Sequence, residues 1–269
     1  MSISVDESSI TFGYLRKFNI TMGFLHLIQG LLILGLSFVI EAVRLFTQDI
    51  YKSGLGVKEF TGSRPILEPV PVIFFTVENI AGILLATFLL MSAGAHFLIA
   101  TVFKTKYEEN LKKKMNPYRW YEYAYSSSVM IIFISIIFGI LEFWILALIF
   151  VVNMLMNVFG LYMEKINQYT NKTDWGPYFW GWLAGIMPWL VIADTFLNIG
   201  SREIPTFVYI ALVMYFIFFN SFAINMFLQY AKIGPWKDYL YGERWYIILS
   251  LLAKSALGWI VFIGLFAGS

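Results

Sequence analysis

Seven stretches of this chain, at residues 15–40, 70–103, 117–138, 141–163, 177–199, 205–231 and 242–267, are each long and apolar enough to cross a bilayer. A span needs about 20 mostly apolar residues, and in lipid its backbone N–H and C=O groups must be satisfied within the segment, so each stretch reads as a helix. Of the 269 residues only 13% are charged and 59% are hydrophobic, against about 25% charged in an ordinary soluble domain. No stretch is left over for a second domain. The expected fold is therefore all-α, one seven-helix membrane bundle over residues 1–269. Short connections after the third, fourth and fifth spans make those helices antiparallel neighbours. The exception is EAVRLFTQDIYKSGLGVKEFTGSRPILEP, residues 41–69, whose alternating segments broken at SGLG and TGSRP predict a hairpin-like insertion over one face of the bundle. No internal repeat or inverted pair of interrupted helices occurs, which argues against a common transporter architecture.

Charge distribution orients the bundle. Twelve Lys and Arg fall on one side (Arg16, Lys17, Lys104, Lys106, Lys112, Lys113, Lys114, Lys165, Lys172, Lys232, Lys237, Arg244) and five on the other (Arg44, Lys52, Lys58, Arg64, Arg202). By the positive-inside rule the N-terminus is cytoplasmic and, after seven spans, the C-terminus is extracellular, with the 41–69 insertion outside. The opening MSISVDESS has neither a basic nor an apolar leader region, so the first span is expected to direct its own insertion. A formal charge of +2 gives no reason to expect a nucleic-acid partner. The absence of cysteine excludes disulfides, thiolate metal sites, Fe–S clusters and Cys nucleophiles.

Within LSLLAKSALGW, residues 249–259, Lys254 sits in the middle of a membrane span. A central lysine costs roughly 2.5–3.5 kcal/mol on insertion scales, so it must be paired, wetted or chemically modified. The third span opens NPYRWYEYAYSSSVM and supplies Glu122. At 1.5 Å per residue Glu122 lies about 12 Å beyond Lys114 and Lys254 about 15 Å beyond Arg244, so the two charges reach similar depth. His26 and Gln29, about 14 Å past Lys17 and spaced i, i+3, fall at that depth too, as does His96, about 12 Å from Lys104. Ser250 and Ser126 lie one turn from Lys254 and Glu122. Both histidines of the chain thus belong to one polar layer in the cytoplasmic half. Taken singly, His26, His96 and Ser126 also read as interhelical hydrogen-bond donors, Arg119 as a snorkelling side chain, and Lys254–Glu122 as a structural ion pair.

RWYEYAYSSS in the third span and SLLAKSALGW in the seventh resemble the heliorhodopsins, a divergent branch of retinal-binding microbial rhodopsins. GWLAGIMPWL in the fifth span and FNSFAINMFLQYAKIGPWKDYL after it are also similar, so the likeness covers nearly the whole chain. Pumping rhodopsins carry an aspartate in the third-span motif and a cytoplasmic C-terminus, and this sequence departs from both. The resemblance implies that Lys254 binds all-trans retinal as a protonated Schiff base with Glu122 as counterion. A nearby carboxylate stabilises such a buried cation and shifts its absorption to the blue. Ser250 is implied to hydrogen-bond near the counterion. His26, Gln29, Ser92 and His96 are implied to line a cytoplasmic polar cavity that accepts the proton, closed by Arg119. Tyr123 and, by position, Ser126, Asn153, Met187, Phe219 and Trp259 are expected against the polyene.

The function this implies is light sensing in the cell membrane, with a slow photocycle and proton transfer into the His26/His96 cavity, reported to a signalling partner. A homodimer is expected, as in the family. Residues 129–141, VMIIFISIIFGIL, offer a pump no proton path, and Phe133 stands where pumping rhodopsins place a donor carboxylate. Asp194 and Glu78 read as interfacial. Light-driven proton transport is the alternative, and a retinal-free receptor or transporter with a structural Lys–Glu pair is the third reading. No nucleophile, metal set or nucleotide loop points to an enzyme.

Overall fold

The computed structural model describes residues 7–198 and 206–267. Two of the sequence features used for orientation, Arg202 and the C-terminal Ser269, lie outside the described residues. Helix α1 (Phe12–Val39) begins at Thr11, whose hydroxyl accepts from the Tyr14 N–H. A one-turn helix α2 (Glu41–Arg44) leads into strands β1 (Gln48–Thr61) and β2 (Arg64–Val77). The rest is helical: α3 (Ile80–Ala100), α4 (Lys104–Lys112), α5 (Pro117–Ile137), α6 (Phe143–Ile166), α7 (Gly176–Leu197), α8 (Thr206–Tyr230) and α9 (Tyr239–Ala267). Seven of these, all but α2 and α4, are long and apolar enough to cross a membrane.

The second span starts ten residues later than the 70–103 stretch expected from hydropathy. PVPVIFF, residues 69–75, is apolar but lies within strand β2. Pro69 and Pro71 lack the N–H that a helix interior requires, and β-branched neighbours favour the pleated form. The hairpin accordingly runs over 48–77 rather than 41–69, paired antiparallel from Gln48↔Val77 to Thr61↔Arg64. TGSR is its turn: Gly62 has φ +63°, as the first residue of a two-residue II′ connection requires. SGLG does not break the strand. A Cβ on Gly54 or Gly56 would come within 2.8 Å of Val72 or Val70 on the facing strand, so these glycines admit the valines.

In the bundle α1 packs on α3, α3 on α5, α5 on α6 and α6 on α7, while α9 packs on α8, α1 and α3. Asn116 caps α5 by accepting from the Arg119 N–H, with Pro117 in its first turn. Glu142 caps α6 in the same way at Ile145. One half of the interior is hydrocarbon: Phe88, Leu89, Ile131, Phe133, Ile134, Leu257 and Val261 are all buried together. Ser135 in that half donates to the Ile131 carbonyl on its own helix. Asp194 and Glu78 are exposed. Most buried polar side chains lie in the opposite half, towards Lys254, while Ser37 and Asn79 pair at the hairpin end.

Candidate functional site

Lys254 projects from the middle of α9, and its side chain is 3% exposed. Its Nζ lies 2.7 Å from Glu122 Oε1 and 3.2 Å from Ser250 Oγ, and it also bonds Ser92 Oγ. An ammonium has three N–H bonds, and here each meets an acceptor. Ser92 in turn donates to Glu122 Oε1 at 2.6 Å. The Tyr123 ring lies beneath the amine at 5.3 Å, a distance at which a cation is attracted to the ring face. Three helices thus converge on one charge pair. Lys254 and Ser250 share a face because they are four residues apart on α9, while Glu122 and Ser92 arrive from α5 and α3 at the same depth.

Beyond the amine opens a void of about 1030 Å³, its open side included, enclosed by α5, α6, α7, α8 and α9. Its walls are largely apolar and rich in aromatic rings, Tyr123, Trp182, Trp189, Phe219 and Phe222 among them, and Lys254 is the one cationic side chain among the described residues of its lining. Ser126, one turn after Glu122, is fully buried on the same wall, and its hydroxyl makes no well-formed hydrogen bond. On the other side of Lys254 and Glu122 lies a second, smaller cavity bordered by Ser92, His96, Asn19, Asn116, Arg119 and Glu243. The charge pair therefore separates an apolar slot from a polar pocket. Such a slot admits a long apolar ligand, and the amine at its wall can condense with a carbonyl at the ligand's end.

The structure distributes the other expected residues unevenly. His96 borders the polar cavity, whereas His26, expected there too, is fully buried off its lining and stacks on the His96 ring with centroids 5.4 Å apart. Gln29 does not border the cavity. Its Oε1 accepts from Trp259 Nε1 at 2.9 Å, which places both residues together between α1 and α9 and keeps Trp259 off the aromatic slot, a correction to both expectations. Met187 is also corrected. It is 47% exposed because one residue of helical rotation turns it outward, and its neighbours Ile186 and Trp189 face the void instead. Asn153 stands behind the slot's wall, donating to Ser127 Oγ at 2.8 Å and Ser128 Oγ at 3.1 Å. Asn157, one turn on, donates to Ser127 as well and does reach the void.

Arg119 is buried rather than snorkelling. It lies between Glu164 and Glu243, bonding both carboxylates, with the Tyr246 ring 3.8 Å and the Trp120 ring 4.8 Å from its guanidinium carbon. Glu164 also accepts from Trp120 Nε1 at 2.7 Å, the Asn116 N–H at 2.8 Å and Tyr239 OH at 3.0 Å. Glu243 accepts from Asn116 Nδ2 at 2.8 Å and Tyr107 OH at 3.1 Å. Burial pushes the Tyr107 hydroxyl well above its ordinary value, so it remains a donor. Sequence reasoning missed Glu164 and Glu243, since each stands near a span end where an interfacial charge is expected. The signal that could have found them is their depth, which is that of Arg119.

A seven-helix membrane bundle in which a buried amine, paired with a carboxylate, faces an aromatic slot is the architecture of a rhodopsin. The family model for heliorhodopsins matches residues 15–266, and the chain belongs to the heliorhodopsin family. No curated protein matches it. Membership makes it a retinal-binding, light-sensing protein of the membrane, crossing it several times, and not a conventional enzyme.

Proposed function

We propose that this protein is a light sensor that binds all-trans retinal as a protonated Schiff base on Lys254, with Glu122 as counterion. The observation that carries this reading is the 2.7 Å contact between Lys254 Nζ and Glu122 Oε1 at the wall of an aromatic slot. Bound retinal supplies a light-absorbing polyene and a protonated nitrogen whose proton becomes mobile after isomerisation. Condensation leaves one N–H on the Lys254 nitrogen, and of its three present acceptors only Glu122 carries charge. Ser92 and Ser250 hold that carboxylate and nitrogen in register. Tyr123, Ser126 and Phe219 confine the polyene, while Asn153 and Asn157 keep Ser127 and the slot wall in place. The polar cavity beside Glu122, with His96 on its wall and His26 stacked behind, receives the proton, and the Arg119–Glu164–Glu243 cluster seals it towards the cytoplasm.

Signalling is favoured over transport by the hydrocarbon half of the bundle, where the buried Phe88, Phe133, Ile134 and Leu257 leave a proton no chain of polar groups among the described residues. The charge asymmetry of the loops supports a cytoplasmic N-terminus and an extracellular C-terminus, with the whole chain acting as a single membrane domain. Apolar side chains exposed on the hairpin, including Leu55, Phe60, Leu67 and Ile73, support a homodimer that covers them. The state of the site then passes through helix movement to a signalling partner.

The test is an absorption spectrum of the expressed protein with added all-trans retinal, beside Lys254→Ala and Glu122→Gln. A visible band, lost in the first variant and red-shifted in the second, is expected. A folded wild type that stays colourless would sink the reading. Light-driven, ionophore-sensitive pH changes in vesicles would instead establish transport, and a tag at Ser269 accessible from the cytoplasm would overturn the orientation.

A further inference from the structure

The two histidines differ in how firmly their rings are set. His96 Nδ1 lies 2.7 Å from Asn19 Oδ1, and the direction of that bond is decided by Asn19. The Asn19 amide nitrogen donates to the Leu15 carbonyl of its own helix at 2.8 Å, and a flipped amide would set oxygen against oxygen there. Its other N–H points to Tyr107 OH at 3.5 Å, and the Tyr107 proton is committed to Glu243. Asn19 therefore presents its carbonyl oxygen to the imidazole. The proton of a neutral His96 must sit on Nδ1, leaving Nε2 with a bare lone pair. Nε2 has no hydrogen-bond partner among the described residues, and His96 borders the cavity shared with Ser92 and Glu122. His26 is different. Both its ring nitrogens are buried without a partner, so nothing polar sets its tautomer.

We propose that Asn19 is a positioning residue that holds His96 in its Nδ1–H form, so that His96 Nε2, and not His26, takes up the proton leaving the Lys254 nitrogen. This rests on the light-sensing reading above. In the step, an N–H bond breaks at Lys254 and an Nε2–H bond forms on His96. The positive charge moves from the lysine side to an imidazolium, and Glu122 stays ionised between them. The imidazolium keeps its Nδ1–H bond to Asn19, now charge-assisted and stronger. His26, stacked on the ring, excludes water from that face. The charged groups around His96 are Glu122 from α5 and Lys254 from α9, with Arg119 of α5 and Glu243 of α9 ion-paired on the same cavity, His26 on α1, and the neutral Tyr107 of α4 beyond Asn19.

The chain has two histidines, so His26→Phe leaves His96 as the only one to observe. In 15N-histidine NMR of that variant in lipid, without retinal, Nδ1 should carry the proton and Nε2 should be bare. Asn19→Leu should shift proton to Nε2, and Asn19→Asp, which keeps an acceptor, should restore Nδ1–H. An Nε2–H ring in the His26→Phe protein, or a tautomer unchanged by Asn19→Leu, overturns the proposal. The first of these measurements decides even if the leucine variant does not fold. The readout needs no pigment, so a colourless protein would defeat the light-sensing reading without affecting it. With pigment, illumination should protonate Nε2, and His96→Phe should slow proton departure from Lys254 at least about 100-fold, the lower end of general acid–base effects. An unchanged rate in His96→Phe would also overturn the proposal.

Discussion

Replacing Arg119 by leucine removes the one guanidinium that serves two carboxylates, Glu164 and Glu243, whose side chains are 0% and 1% exposed. Breaking a buried ion pair by deleting one partner costs about 3–5 kcal/mol, because the other charge stays buried. Protonation sets a ceiling on that cost. At pH 7 a carboxyl group of ordinary value, near 4.3, takes up a proton for about 3.7 kcal/mol. Once one of the two is protonated it can donate to the other, so a single proton suffices. Loss of the stacking on Tyr246 and Trp120 adds up to about 2 kcal/mol, partly offset because the guanidinium no longer needs to be desolvated. A destabilisation of about 4 kcal/mol at pH 7 is expected. The proton comes more cheaply at lower pH, so the penalty should shrink by about 2.7 kcal/mol between pH 7 and pH 5. Reversible unfolding in mixed micelles, followed by tryptophan fluorescence, measures both values. Adding Glu164→Gln to Arg119→Leu should recover most of the loss. A penalty under about 1 kcal/mol, or one that is flat with pH, would refute the account of the cluster as a buried, charge-coupled unit.

Three further outcomes follow from particular contacts. Gly160 faces the Trp120 indole so closely that any Cβ would overlap it, and Trp120 is tied to Glu164; Gly160→Val should cost about 1–3 kcal/mol in thermal unfolding, and no loss would mean that the indole is free to move. Gly185 lies on the slot, where an added Cβ must displace the flexible end of Met156, so Gly185→Trp should block retinal uptake in a spectral titration while helix content stays near wild type. Uptake unchanged by that substitution would remove the slot from consideration. Tyr107 stays neutral in the fold but ionises when unfolded above pH ~10, so it makes stability fall with rising pH there; Tyr107→Phe should reduce that alkaline slope by about 1.4 kcal/mol per pH unit, and an unaltered slope would show the hydroxyl to be solvated.

The number of spans, their order and the pairing of Lys254 with Glu122 were legible because each depends on local or additive quantities. Hydropathy sums over about 20 residues, and depth follows from a fixed rise per residue. The start of the second span was not legible, since PVPVIFF is as apolar as a helix, and only the prolines at 69 and 71 argue for a strand. Met187 and Trp259 were misplaced for a different reason. Helices that meet lipid on one face and protein on the other are apolar all round, so the sequence carries little signal for their rotation.

The sequence by itself therefore determined that this chain crosses a membrane seven times, that it carries one lysine in mid-span, and that a carboxylate lies at matching depth. Tertiary structure alone decided which side chains face one another there: Ser92 bonded to both charges, Asn19 on His96, and Glu164 and Glu243 around Arg119. The physical reason is that burial in lipid constrains every span in the same way, whereas a contact between helices depends on rotation and tilt, which arise only when all seven pack together.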